Sequence, residues 1–554
     1  MSSLRRTFAI VALALVTAPL VANAPLFDPD EGLHAAIAQE MTRSGDYVAP
    51  RFLGEPFLDK PILFFWAEAL SLRLFGMREA AVRIPPLAFG VFGMVTVALL
   101  GRRLFGETAG LIAGVAYGTM LLPLGVSEVA VHDVAVVPFM CLAVYFAVGS
   151  AGSAGSDGSD GSGGSDGFRG SDGFRGSGGA GSLGSVGSWF AMGVCLGLSI
   201  LTKGLVAIAF TGLFAMCYAA ARRDTIVRLT VALAIAVVIA ALVAAPWYMA
   251  MERAHPGYLH YYFVERHLQG YLTATQRHAG REWWYYAPIV IGGSLPWTGY
   301  LVRAARIARA ERLRVVVWAW LAAGFLFLSL GESKLVTYAL PLFPALAILI
   351  GDAIAASGSP FDRVGYGVCA VTLAVIPLAA LAAVQIKFGG VSRDVWFVNS
   401  LITVAIVYVA RVLPRQSRVS ALSSGFAPWP LPLMALGALM VASPRAAAWM
   451  TGKDAALQLN RAGRLPAHVL VLDERVGSLI FYLDPALRGD ASPDRVHQVT
   501  MAEAVQRSRR EPLDVVIIVR NNLLERFDRQ FASPPRPAWR AGTTTMFRGE
   551  SLLK

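Results

Sequence analysis

Apolar runs close to the ~20 residues needed to cross a hydrocarbon core recur along most of this chain, and they restrict its fold more than any other feature. Windows free of Lys, Arg, Asp and Glu occupy 7–27, 84–101, 108–127, 134–149, 188–202, 204–221, 229–251, 283–302, 315–331, 335–351, 364–386 and 395–410, with a last one near 426–443. They predict a polytopic α-helical membrane protein with about 13 transmembrane helices. Only 16% of the 554 residues are charged, against about 25% in soluble domains, which argues against a soluble all-α fold.

The net charge of +12 then calls for no nucleic-acid partner. With the N-terminus inside, Arg102-Arg103, Arg222-Arg223, the 303–314 cluster and the arginines from Arg411 to Arg418 all fall in cytoplasmic turnarounds, as the positive-inside bias requires. An odd number of spans leaves the C-terminal tail outside. Arg5-Arg6, the apolar stretch from Thr7 and Ala22-Asn23-Ala24 read as a retained anchor in preference to a cleaved signal peptide, and either delivers the chain outside at Pro25. Cys141, Cys195, Cys217 and Cys369 all lie in apolar runs and read as packing groups.

These readings divide the chain into a transmembrane domain over 1–443 and an α/β domain over 444–554 outside the membrane. Within the first, 150–187 is rich in Gly, Ser and Asp and repeats Ser165-Asp-Gly-Phe-Arg-Gly170 at 171–176. Such a segment buries no core and reads as a flexible cytoplasmic loop. In the second, 468–472, 479–482 and 515–519 read as short buried strands, with a polar helix over 501–509.

The loop after the first span, 25–83, opens Asp28-Pro29-Asp30-Glu31 and continues into an amphipathic helix carrying Leu33, Ile37 and Met41. Phe57, Leu58, Ile62, Phe64, Phe65 and Trp66 then suggest helices lying along the membrane interface with their apolar face in lipid. Acidic residues at a helix start suit the positive end of its dipole, so Asp30 and Glu31 have a plain structural explanation. Other ionisable residues sit at the same outer edge: Glu128, His132, Asp133, Lys203, Glu265, Arg266, His267 and Lys334. Charged groups beside spans are costly and mark candidate functional sites. Their types suit transfer from a sugar phosphate: cations stabilise the departing anionic phosphate, and a carboxylate orients the acceptor or takes its proton. Trp283-Trp284-Tyr285-Tyr286 and Pro296-Trp297 read as an aromatic belt.

The succession Asp30-Glu31, Gly45-Asp46, Pro50-Arg-Phe-Leu-Gly54 and Asp59-Lys60-Pro61 resembles the first outer loop of the GT-C superfamily of membrane glycosyltransferases. It is most similar to that of the bacterial lipid A aminoarabinose (4-amino-4-deoxy-L-arabinose) transferases and the related protein mannosyltransferases. His132-Asp133, Leu201-Thr-Lys-Gly204, His260-Tyr-Tyr-Phe263 with His267-Leu-Gln269, Gly293-Ser-Leu-Pro-Trp297, Ser333-Lys334, Tyr338 and Leu340-Pro341 extend the resemblance over residues 5–350. It implies transfer, with inversion, of a sugar from undecaprenyl phosphate to lipid A or another envelope acceptor. It implies further that Asp30 is the principal catalytic carboxylate with Asp133 in support. Glu31, Lys60, Lys203, Arg266, Lys334 and Tyr338 would bind the substrates. Asp59 and His267 would hold a divalent, zinc-like metal, although two ligands fall short of the usual four and no other cofactor is implied. Asp59 stands where the family carries Glu, and Val134 where relatives carry Pro.

The resemblance also implies a monomer in the bacterial inner membrane with its site facing the periplasm. Transfer to protein or polysaccharide, as in the mannosyltransferases, stays open. A transporter or flippase is the rival class, but it would place its charges near the midplane within repeated halves. Here the charges gather at one edge and no repeat is visible.

Overall fold

A computed structural model describes residues 4–6, 8–13, 24–152, 181–273, 282–357, 363–388, 393–416, 450–472, 476–510, 514–531, 533–541 and 544–552. Most of the first expected span, most of the Gly/Ser-rich loop and the last expected span lie outside the described residues. Among the described residues, six helices are long and apolar enough to cross a membrane: Glu79–Phe105, Asp133–Ala151, Val186–Lys203, Arg223–Ala254, Arg312–Leu330 and Val336–Ser357. A seventh candidate, Glu107–Thr119 continued by Leu121–Ser127, bends by 63°. The chain is a multi-pass membrane protein. The window 283–302 does not form one continuous helix: it breaks into Tyr286–Gly293 and Tyr300–Arg306 around Pro296, whose missing N–H ends the first.

Small residues let these helices approach closely, as lipid-embedded packing favours. Gly193 and Gly197, four apart on one face, lie so near the next long helix that an added methyl would overlap Ile239 or Val243. Gly110 meets the backbone of Ala98 and Arg102 in the same way. Cys141, Cys195 and Cys369 are buried, and all four cysteines are free thiols.

In the first loop, helix Asp30–Ser44 ends at Gly45, whose φ of 72° forms a left-handed cap. The hairpin of β1 (Arg51–Phe52) and β2 (Glu55–Pro56) turns through Leu53 and Gly54, both at positive φ. Helix Leu63–Phe75 follows. The apolar face expected in lipid is instead covered by protein: Ile37, Ile62, Phe64 and Phe65 are all fully buried. The exposed apolar group lies further on, at Leu70, Leu74, Phe75 and Met77. Of the expected aromatic belt, Trp283 and Trp284 are exposed, whereas Tyr286 and Trp297 belong to the core.

The tail contains a five-stranded sheet ordered β4-β3-β5-β7-β6. Here β3 is His468–Leu472, β4 Val496–Val499, β5 Val515–Arg520, β6 Trp539–Ala541 and β7 Thr544–Arg548. Strand β3 runs parallel to β4 and β5, and β7 runs antiparallel to β5 and β6. Val469 and Val471 face one core, and Leu470 and Leu472 the other, because successive side chains alternate across a sheet covered on both sides. Residues 479–482 are not a strand. They end the short helix Gly477–Tyr482, part of the crossover that carries the chain from β3 to its parallel neighbour β4.

Candidate active site

One span begins at Asp133 and another ends at Lys203, and these two ends lie side by side. Lys203 Nζ donates to Asp133 Oδ1. Each charge also suits the helix end that carries it, acid at the N-terminus and cation at the C-terminus. Lys203 Nζ lies 4.3 Å from the centre of the Tyr338 ring, a cation–π contact from the start of a third span. The Thr337 hydroxyl also faces Asp133. Lys334 is buried in the loop just before this segment.

Two loops close over these ends. The first brings Asp59 and Lys60. The second brings the π-helical segment His260–Gln269, a winding often found at functional sites. Arg266 Nη2 donates to Asp59 Oδ2 over 2.8 Å, and the Tyr261 hydroxyl donates to Asp59 Oδ1 over 2.7 Å. Lys60 lies in the field of Lys203, Asp133, Arg266 and Asp59. Burial pushes its pKa down, and the nearby charge of Lys203 adds to the effect. Three cations therefore converge on two carboxylates, and a bound anion would relieve their mutual repulsion.

Asp30 is the exposed first residue of its helix, and its charge reaches Tyr338 and His34. His34, absent from the expected site residues, lies beside this group. It is buried, its Nδ1 is 2.7 Å from the Ala130 carbonyl, and it lies in the field of Asp30, Lys60 and Asp133. Burial lowers its pKa and, more strongly, that of His132. The two rings meet edge to face at 4.7 Å, between Phe64 and Phe65. The spacing of His34, one turn beyond Asp30, was the available signal. Tyr261 and Thr337 were missed as well.

The structure gathers Asp59, Lys60, Asp133, Lys203, Arg266 and Tyr338, with Asp30 at the rim. Glu31 is separate. It is fully buried, takes bonds of 2.9 Å from Arg83 Nε and Nη2, and accepts the Phe27 amide, so it is a structural group and not a substrate ligand. Asp59 and His267 do not fit a metal site. Both Asp59 oxygens already take hydrogen bonds, one from a cation. His267 Nδ1 lies 2.7 Å from the Tyr262 carbonyl, and its Nε2 abuts Gly204 so tightly that a methyl there would overlap it. Among the described residues no three His, Cys, Asp or Glu group around a common point.

A family model described as dolichyl-phosphate-mannose-protein mannosyltransferase matches residues 59–152. The undecaprenyl phosphate-alpha-4-amino-4-deoxy-L-arabinose arabinosyl transferase of Erwinia tasmaniensis is 30% identical over 368 residues, covering 64% of this chain and 62% of that protein. This is less than two thirds of the relative's length. Its namesake from Pseudomonas aeruginosa is 29% identical over 453 residues, 80% of this chain and 74% of that protein. The crystal structure of ArnT from Cupriavidus metallidurans bound to undecaprenyl phosphate aligns with a TM-score of 0.74 at 22% identity, over 98% of this chain and 97% of that one.

The fold is thus the GT-C fold of membrane glycosyltransferases. Within it, the chain resembles the undecaprenyl phosphate-aminoarabinose arabinosyl transferases, the group its loop motifs point to.

Proposed function

We propose that this chain is a glycosyltransferase of the bacterial inner membrane that moves 4-amino-4-deoxy-L-arabinose from undecaprenyl phosphate to a phosphate of lipid A. In this reading about 13 spans cross the bilayer, the charged cluster faces the periplasm, the tail forms a periplasmic α/β domain and the protein acts as a monomer. The names of the similar proteins favour this donor and sugar. The observation that carries the reading is the convergence of Lys60, Lys203 and Arg266 on Asp59 and Asp133 at one end of the spans. A cluster with surplus positive charge receives an anionic phosphate.

The chemistry is a single displacement. An acceptor oxygen attacks the anomeric carbon opposite the phosphate, the bond from that carbon to the phosphate oxygen breaks, and undecaprenyl phosphate leaves with the electron pair. The configuration inverts. Lys60, Lys203 and Arg266 hold the leaving phosphate and stabilise charge that grows in the transition state. Lys334 and Tyr338 bind the substrates, and Asp133 fixes Lys203. An acceptor phosphate is already anionic, so Asp30 orients the sugar or its protonated amine. With a hydroxyl acceptor, Asp30 takes the proton, a contribution of about 10²–10⁴-fold.

Transfer to protein or polysaccharide is the second reading, favoured by the mannosyltransferase match over 59–152. Mass spectrometry of envelope glycolipids and glycoproteins, with and without the protein, separates the two. Loss of aminoarabinose from lipid A is expected, whereas unchanged lipid A with altered glycoproteins overturns the choice of acceptor. The variant Asp30→Asn should accumulate normally and transfer nothing, and near-normal transfer would remove Asp30 from its role.

A further inference from the structure

The stretch that carries Asp30 is held from two sides. On the membrane side, Arg83 donates to the carbonyls of Ala24 and Pro25 over 2.6 and 3.1 Å as well as to Glu31. On the other side stands the C-terminal α/β unit. Asp28 Oδ1 accepts the Ser478 amide over 3.0 Å, and Asp28 Oδ2 accepts the Ser478 hydroxyl. The Asp28 amide donates to the Met450 carbonyl over 2.7 Å. The Leu26 amide donates to the Tyr482 hydroxyl over 2.8 Å, and that hydroxyl donates to Glu79 over 3.0 Å. Lys453 joins the same Glu79 oxygen over 2.6 Å.

Between these bonds the two backbones touch. A methyl on Gly32 would overlap the Ser478 amide nitrogen, and one on Gly477 would overlap the Leu33 amide nitrogen. Both positions therefore lack room for a side chain. Asp28 lies two residues before Asp30 and Gly32 two residues after it. Asp30 itself stays exposed between these fixed points.

We infer that the C-terminal unit is a positioning element for the catalytic loop, acting through Gly477 and Ser478 on Gly32 and Asp28 to fix where Asp30 points. This rests on the reading of Asp30 as the catalytic carboxylate. A domain serving only as a tether would need neither the glycine–glycine fit nor a buried carboxylate clamped on Ser478. Ser478 and Asp28 are positioning residues: they act through Asp30.

The test uses the full chain in lipid nanodiscs and the variant Ser478→Ala, which removes the hydroxyl bond without adding volume. Hydrogen exchange of residues 26–34, kcat, undecaprenyl phosphate binding and the thermal midpoint are measured together. Exchange in 26–34 should quicken while other segments stay as in wild type. The kcat should fall by about 10- to 100-fold, the scale of a misplaced reacting group. Binding of undecaprenyl phosphate should be unchanged. Asp28→Asn, of the same size, serves if Ser478→Ala fails to accumulate. Wild-type exchange and kcat overturn the inference, as does a kcat loss accompanied by weaker binding and a lower thermal midpoint. If the wild-type protein transfers no sugar, the reading of Asp30 fails instead, and the exchange measurement alone decides whether the tail orders the loop.

Discussion

Glu128 stands in the turn between two apolar helices, with Oε1 buried and without a partner among the described residues. Burial raises its pKa to about 7, and Arg83 offsets part of the effect. The folded state thus holds a proton that the unfolded chain releases near 4.5, so stability declines as pH rises from there to about 7. Glu128→Gln removes this dependence. Its thermal midpoint should match wild type at about pH 4 and exceed it at about pH 8, as read from unfolding curves at both. Equal midpoints at both values would place the Glu128 carboxyl in water. The sequence marked Glu128 through its location beside a span, and Asp133, Lys203 and Arg266 the same way. It could not sort them, because pairing depends on which helix ends meet. Glu31 shows the cost of that gap: its acidic neighbour looked functional, yet its own partner, Arg83, lies 52 residues along the chain.

Helix Asp30–Ser44 illustrates what pattern reveals about an element. The Asp-Pro-Asp-Glu start and the apolar spacing located it, but spacing alone does not tell lipid from protein as the cover. The cover is helix Leu63–Phe75, the 128–132 segment and the tail helix Gly477–Tyr482. Four apolar residues at 479–482 read as a strand because runs this short suit either structure. The Glu31–Arg83 pair anchors the start of the helix to span Glu79–Phe105. Arg83→Ala leaves a buried carboxylate unpaired and should cost about 3–5 kcal/mol, seen as a lower thermal midpoint and reduced accumulation. The turn at Gly204 is similarly constrained. Its φ of 80° and its contact with His267 leave no room for a side chain. Gly204→Ala should push the His260–Gln269 segment off Lys203 and reduce transfer, while Gly257→Ala, strained but with open space around it, should affect transfer less. Equal losses would discount the His267 contact.

For the molecule as a whole, alternating spans deliver the ends bearing Asp133, Lys203 and Tyr338 to one edge, and two long loops close over that edge. Composition and parity made this arrangement legible, since helices of one length crossing one slab must alternate. The tail's hold on the first loop was not legible, because the glycines at 32 and 477 carry no pattern and meet only in the folded chain. The central claim is that the charged cluster breaks a sugar–phosphate bond. Reconstitution in proteoliposomes with labelled undecaprenyl-phosphate aminoarabinose and lipid A, followed by mass spectrometry, tests it directly. Wild type should yield lipid A carrying the sugar and release undecaprenyl phosphate, and Asp30→Asn should yield neither. Recovery of the donor intact on the opposite face of the membrane, with no sugar attached to any acceptor, would contradict the account.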